Sequence, residues 1–104
     1  MKFAAIQHDI AWCDRDANFE HLRVLIAEAE LNGAEFVLLT ETFSTGFAVD
    51  NSSFAELSGG PSSQFLVAMA REHNIWIGGT CPELSVISDD GRPANTFVVV
   101  SPEG

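Results

Sequence analysis

Basic residues are scarce in this chain: five Lys and Arg stand against fifteen Asp and Glu, for a formal net charge of −10. No basic patch can be assembled from so few, which excludes a nucleic-acid or anionic-membrane surface. Lysine is scarcer still, with Lys2 alone. Cysteine is limited to Cys13 and Cys81, a pair that supplies neither a disulfide framework nor a metal ligand set. His8, His21 and His73 also lack metal-ligand spacing, so no metal or other cofactor is expected. Reduced thiols and a cytoplasmic location are the corresponding expectation. No apolar run approaches the length of a membrane span. The opening Met1-Lys2-Phe3-Ala4-Ala5-Ile6 reaches Gln7, His8 and Asp9 too soon for a secretory leader.

Charged residues make up only 19% of the 104 positions, against 46% hydrophobic ones that include eight Phe and two Trp. That balance excludes a disordered chain and supplies the core of one domain or part of one. The elements alternate in an α/β pattern. A first strand is expected over residues 2–8, followed by a polar turn and a helix over 17–31, capped by Asp14 or Asp16. Phe19, Leu22, Ile26 and Ala29 recur at intervals of three and four, with Leu25 beside them, which makes one buried stripe. Asn32-Gly33 is a left-handed stop.

A second strand over 35–40 follows, parallel to the first through a right-handed crossover. Residues 42–60 read as a long loop, a length that is often functional. Gly60-Pro61 opens a second helix with the stripe Phe65, Leu66, Met69 and Ala70, ending near His73-Asn74. Strands over 75–81 and 95–101, joined through the turn signal Asp89-Asp90-Gly91, are expected to pair antiparallel. Ser101-Pro102-Glu103-Gly104 reads as another turn. Strands two and four are apolar at odd and even positions alike, so both of their faces are expected to be covered. If the two helices share a side, the other face needs a further layer.

Glu41 is the leading candidate for chemistry. It ends the apolar run Phe36-Val37-Leu38-Leu39-Thr40, at the carboxyl end of a strand, where α/β sheets place their sites. Burial there would raise the pKa of its carboxyl into the range useful to a general base. The plainer reading is an acid that caps the loop or pairs with an arginine. Ser58-Gly59-Gly60-Pro61-Ser62-Ser63 could bind an anion at a helix start, but a simple cap explains it better. Gly78-Gly79 would admit a second backbone at close range. Cys13 lies among Asp14 and Asp16, which disfavours a thiolate, and Cys81 reads as a small buried thiol. His8 is expected to be a hydrogen-bonded residue at the core edge, with His21 and His73 solvated or capping on their helices.

The stretch from Gly33-Ala34 through Glu41-Thr42-Phe43-Ser44-Thr45-Gly46-Phe47 resembles the N-terminal portion of the nitrilase superfamily, the carbon–nitrogen hydrolases. Gln7, Asn18, Gly60-Pro61, Gly78-Gly79 and Asn95-Thr96 fall in the family order, so residues 1–104 as a whole resemble a piece of that domain, incomplete at its C-terminus. The pattern around Glu41 is closest to ω-amidase-like bacterial amidases. The resemblance implies part of a four-layer α-β-β-α sandwich with two helices, about four strands and a mixed sheet. It also implies a Glu-Lys-Cys triad that hydrolyses small amides through a thioester, in an enzyme that forms homo-oligomers. Carried over by position, Glu41 is the general base and Phe47 lines the substrate pocket. Thr40 stands where the family usually has proline, which frees the backbone before the acid. The family Lys and Cys have no counterpart here, since Lys2 opens the first strand; the chain alone is expected to be inactive. The rival reading is a non-catalytic α/β binding or interaction module, with helices on opposite faces and the 42–60 loop as its ligand site.

Overall fold

A computed structural model describes residues 1–47, 52–84 and 93–104; the expected turn at Asp89-Asp90-Gly91 lies outside them. Four strands form one mixed sheet in chain order: β1 (Phe3–Ile6), β2 (Phe36–Leu39), β3 (Trp76–Leu84) and β4 (Pro93–Val100). β1, β2 and β3 run parallel, with Phe3 opposite Phe36 and Phe36 opposite Trp76. β4 returns antiparallel, pairing Gly78 with Val99 and Pro82 with Asn95. The first two strands are shorter than expected. β3 is longer, because its outer half pairs with β4 as far as Leu84.

Helix α1 (Arg15–Leu31) begins at Asp14, whose side chain accepts from the Ala17 N–H. Of the two candidate caps it is therefore Asp14 that acts, which leaves Asp16 in the first turn beside the helix dipole. Gly33 at φ +89° ends the run as expected. Helix α2 (Pro61–His73) starts with proline in its first turn and ends at Asn74 in the left-handed region. Its stripe Phe65, Leu66, Met69 and Ala70 is buried.

Both helices lie on the same face of the sheet. Leu22 and Ile26 of α1 share one core with Leu66 and Met69 of α2 and with Val37, Leu39 and Ile77 of the sheet. Phe19 stacks on Phe65 with ring centroids 4.4 Å apart. The physical cause is the strand order. Two right-handed crossovers that advance in one direction, β1 to β2 to β3, deliver their helices to one side.

Among the described residues no element covers the opposite face; since both helices share a side, the further layer that the apolar faces of β2 and β4 call for is not among them. Leu38 is 41% exposed and Phe97 56% exposed. Phe3, Trp76 and Val99 are exposed beside them, and the strand pairing sets these residues in one apolar field. The arrangement with helices on opposite faces, on which the binding-module reading rests, is not the one adopted.

Candidate active site

The chain leaves β2 at Leu39 and turns sharply. Thr42 adopts φ +50°, and Gly46 N–H donates to the Thr42 carbonyl to close the turn at 2.9 Å. Three neighbours fix this turn. The Thr42 N–H donates to the Thr80 hydroxyl on β3. The Asn18 amide of α1 donates to the Ser44 carbonyl at 2.7 Å and to the Ala11 carbonyl at 2.8 Å, while its oxygen accepts the Ala11 N–H at 2.7 Å. The Cys13 N–H donates to the Thr45 carbonyl at 2.8 Å. Asn18 is almost fully buried, so these bonds lie where an unmade one is costly.

Within the turn, side chains are sorted to the two sides of the sheet. Phe43 is fully buried on the helix side, 6.0 Å from the Phe65 ring and 6.5 Å from Phe19. It lies directly over Gly79, where an added Cβ would fall 2.7 Å from the ring. Gly79 thus admits an aromatic ring, where a backbone was expected. Glu41 goes the other way. Its Oε1 accepts from Asn95 Nδ2 of β4 at 2.8 Å, and Asn95 shares its strand face with the exposed Phe97 and Val99.

Glu41 is therefore exposed at the rim of the bare face. The burial expected for it is absent, because no described layer covers that face. Among the described residues it neither pairs with an arginine nor caps the loop, and its hydrogen-bond partner is Asn95. Phe47, six residues further along, is 56% exposed. Thr40, in the position that resembles the family's proline, has its hydroxyl buried with no hydrogen-bond partner among the described residues.

The other candidates fall elsewhere. Lys2 lies at the opposite end of the parallel strands from Glu41, and its ammonium group donates to the Asn32 carbonyl at the end of α1. Cys81 faces the helix side, fully buried near the Ser63 hydroxyl, and burial pushes its thiol up to about 11. Both cysteines are free. His8 is buried, and among the described residues neither ring nitrogen makes a well-formed hydrogen bond, although the Phe43 backbone and Asn18 lie close. Burial lowers its pKa below the ordinary 6.5, and His21, with its ring centroid 5.8 Å away, adds to that direction. His21 is solvated as expected, while His73 pairs with Glu30 at 2.6 Å. Among the described residues no group of His, Cys, Asp and Glu could hold a metal ion, and no helix is long and apolar enough to cross a membrane.

Sequence reasoning missed Glu56. Its backbone bridges β3 beside Glu83, with the Glu56 N–H on the Pro82 carbonyl at 2.6 Å and the Leu84 N–H on the Glu56 carbonyl at 2.7 Å. Its buried carboxylate accepts from the Ser62 N–H at 2.8 Å, the Ser62 hydroxyl at 2.6 Å and the Arg15 guanidinium at 2.8 Å. The Ser62 hydroxyl also lies 2.7 Å from that of Ser44. The start of α2 is thus occupied by an internal anion: Gly60 is its N-cap residue without a capping side chain, and the Glu56 carboxylate takes the Ser62 N–H, where a plain cap by the Gly-Ser stretch was expected. An acid placed shortly before a proline-initiated helix was the signal that could have revealed it.

The chain is thus a mixed α/β sheet with both helices on one face and a strand-end acid turned toward the other. The carbon-nitrogen hydrolase family profile matches residues 2–104, and the chain belongs to that family. It is 37% identical over 82 residues to an omega-amidase of Xenopus laevis, an alignment covering 77% of this chain and 28% of that protein. It superimposes on a CN-hydrolase superfamily protein from Xanthomonas campestris with a TM-score of 0.80 and 21% identity, covering 94% of this chain and 35% of the other. An amidase from Nesterenkonia sp. gives a TM-score of 0.78 at 20% identity, with 99% of this chain and 39% of the other covered. These structures share the fold, of which the present chain forms a part; it spans well under half the length of the relatives it matches.

Proposed function

We propose that this chain supplies the general base, Glu41, to an amidase of the carbon–nitrogen hydrolase family that acts on small amides. The observation that carries the reading is the Glu41 carboxylate, anchored by Asn95 at a strand end and turned toward the bare apolar face. In this reading Glu41 takes the proton of a cysteine nucleophile, which attacks the amide carbon and forms a thioester. Ammonia or an amine leaves with the proton. Glu41 then activates water to release the acid, and a lysine stabilises the oxyanion. Phe47 lines the substrate pocket. The omega-amidase relative supports the substrate class, and a mutant of the amidase from Nesterenkonia sp. AN1 shows Michael addition of acrylamide at its active-site cysteine.

The 104 residues do not complete that triad by themselves. Lys2 is at the wrong end of the sheet, and Cys81 is on the wrong face with its thiol held protonated. We place the full enzyme in the cytoplasm, in keeping with the free thiols, and, on the family resemblance alone, as a homo-oligomer. The test is ammonia release from ω-amides and short aliphatic amides. The chain alone gives none, and in the complete hydrolase Glu41→Gln lowers turnover by about a hundredfold or more. Turnover by the chain alone that survives Cys13→Ala with Cys81→Ala and is abolished by Glu41→Gln would overturn the triad reading.

A further inference from the structure

The Glu41–Asn95 contact joins segments that are not neighbours in the sheet. Glu41 follows β2 and Asn95 belongs to β4, with β3 between them. Asn95 sits opposite Pro82, two positions along from the Phe97–Thr80 pair. Thr80 is the residue whose hydroxyl receives the Thr42 N–H. One face of the β3–β4 hairpin thus holds the turn twice, by its backbone at Thr42 and by its carboxylate at Glu41.

Elsewhere Asn18, Cys13 and Thr80 act on the backbone of the turn, at Ser44, Thr45 and Thr42, and the Ser62 hydroxyl meets that of Ser44 on the helix side. Among the described residues Asn95 alone hydrogen-bonds to the acid itself, and it engages one oxygen. The second carboxylate oxygen makes no hydrogen bond among the described residues. Among the described residues one carboxylate oxygen is thus occupied by a donor, which leaves the other to take a proton. A neutral amide suits this task. It donates to the ionised acid without adding charge, and it has no proton of its own to exchange near neutral pH.

We propose that Asn95 is the positioning residue of Glu41, orienting the carboxylate so that its other oxygen meets the proton it must remove. This rests on the reading of Glu41 as general base. The bond is the one contact that sets where the carboxylate stands among the described residues, so its loss lets the acid turn away from the reacting proton. An aspartate at the same position has the same size but lacks the donor and repels the acid, so it displaces the carboxylate as well.

The experiment measures kcat and KM in the complete hydrolase for wild type, Asn95→Ala, Asn95→Asp, Glu41→Gln and the double variant Asn95→Ala with Glu41→Gln. Expected is a kcat about ten- to a hundredfold lower in Asn95→Ala with KM little changed, and no further loss when the change is added to Glu41→Gln, because Asn95 acts through the acid. The isosteric Asn95→Asp loses kcat in the same way and decides the matter should the alanine form fail to fold. A loss in Asn95→Ala that adds in full to that of Glu41→Gln would show that Asn95 merely supports the strand and would overturn the proposal. Full activity in Glu41→Gln would instead overturn the general-base reading and the positioning role with it.

Discussion

The Phe43 ring lies against Gly79 so closely that a methyl group on that glycine would sit 2.7 Å from its edge. This contact locks the turn after β2 onto β3, two residues from Glu41. It explains a glycine in the middle of a buried strand, where glycine otherwise weakens the sheet.

Gly79→Ala therefore overpacks the core at its junction with the turn. We expect a loss of about 1–3 kcal/mol in stability, measured by urea unfolding. Because the methyl would press on an aromatic ring, pairing it with Phe43→Leu recovers part of that loss. Simple additivity of the two substitutions would argue against the contact.

Glu56 binds the start of α2, the start of α1 and the edge of β3 into one polar cluster. Removing its carboxylate leaves Arg15 and the Ser62 N–H without their acceptor. Breaking a buried pair of this kind costs about 3–5 kcal/mol; the partly exposed Arg15 places Glu56→Ala at the lower end. Denaturant midpoints of Glu56→Ala and Glu56→Gln check this, with glutamine, which keeps an acceptor oxygen, the milder of the two.

His8 makes stability depend on pH. In the unfolded chain it takes up a proton near its ordinary 6.5, whereas burial in the fold holds protonation off to lower pH. Between those values the unfolded state binds more protons, so stability is fully present above 6.5 and falls as the pH drops through the window below it. Comparing unfolding free energies at pH 7.5 and 5.5 for wild type and His8→Gln should show the larger loss in wild type. Equal losses would refute the assignment.

Cys81 is buried, with its thiol pushed up to about 11. At pH 8 iodoacetamide should leave Cys81 unmodified in the folded chain and label it after addition of denaturant. Peptide mapping of the modified sites reads the outcome.

Much of the fold was legible locally. The stripe of α2, its proline start and the Asn32-Gly33 stop are set by side-chain periodicity and backbone preference within a few residues. The acid at position 41 was legible too, because it follows an apolar strand abruptly. Its exposure was not. The apolar residues of β2 and β4 on both faces suggested two covering layers, and only the sheet order shows that α1 and α2 cover one.

Sequence by itself determined the elements, the family and the residue offered for chemistry, since these depend on short-range pattern and ordered motifs. Tertiary structure decided which side of the sheet each turn residue faces: Phe43 inward onto Gly79, Glu41 outward to Asn95. It also decided that Glu56, silent in the sequence, caps α2. The reason is that these relations join residues far apart in the chain, through strand order and crossover hand, which no local pattern encodes.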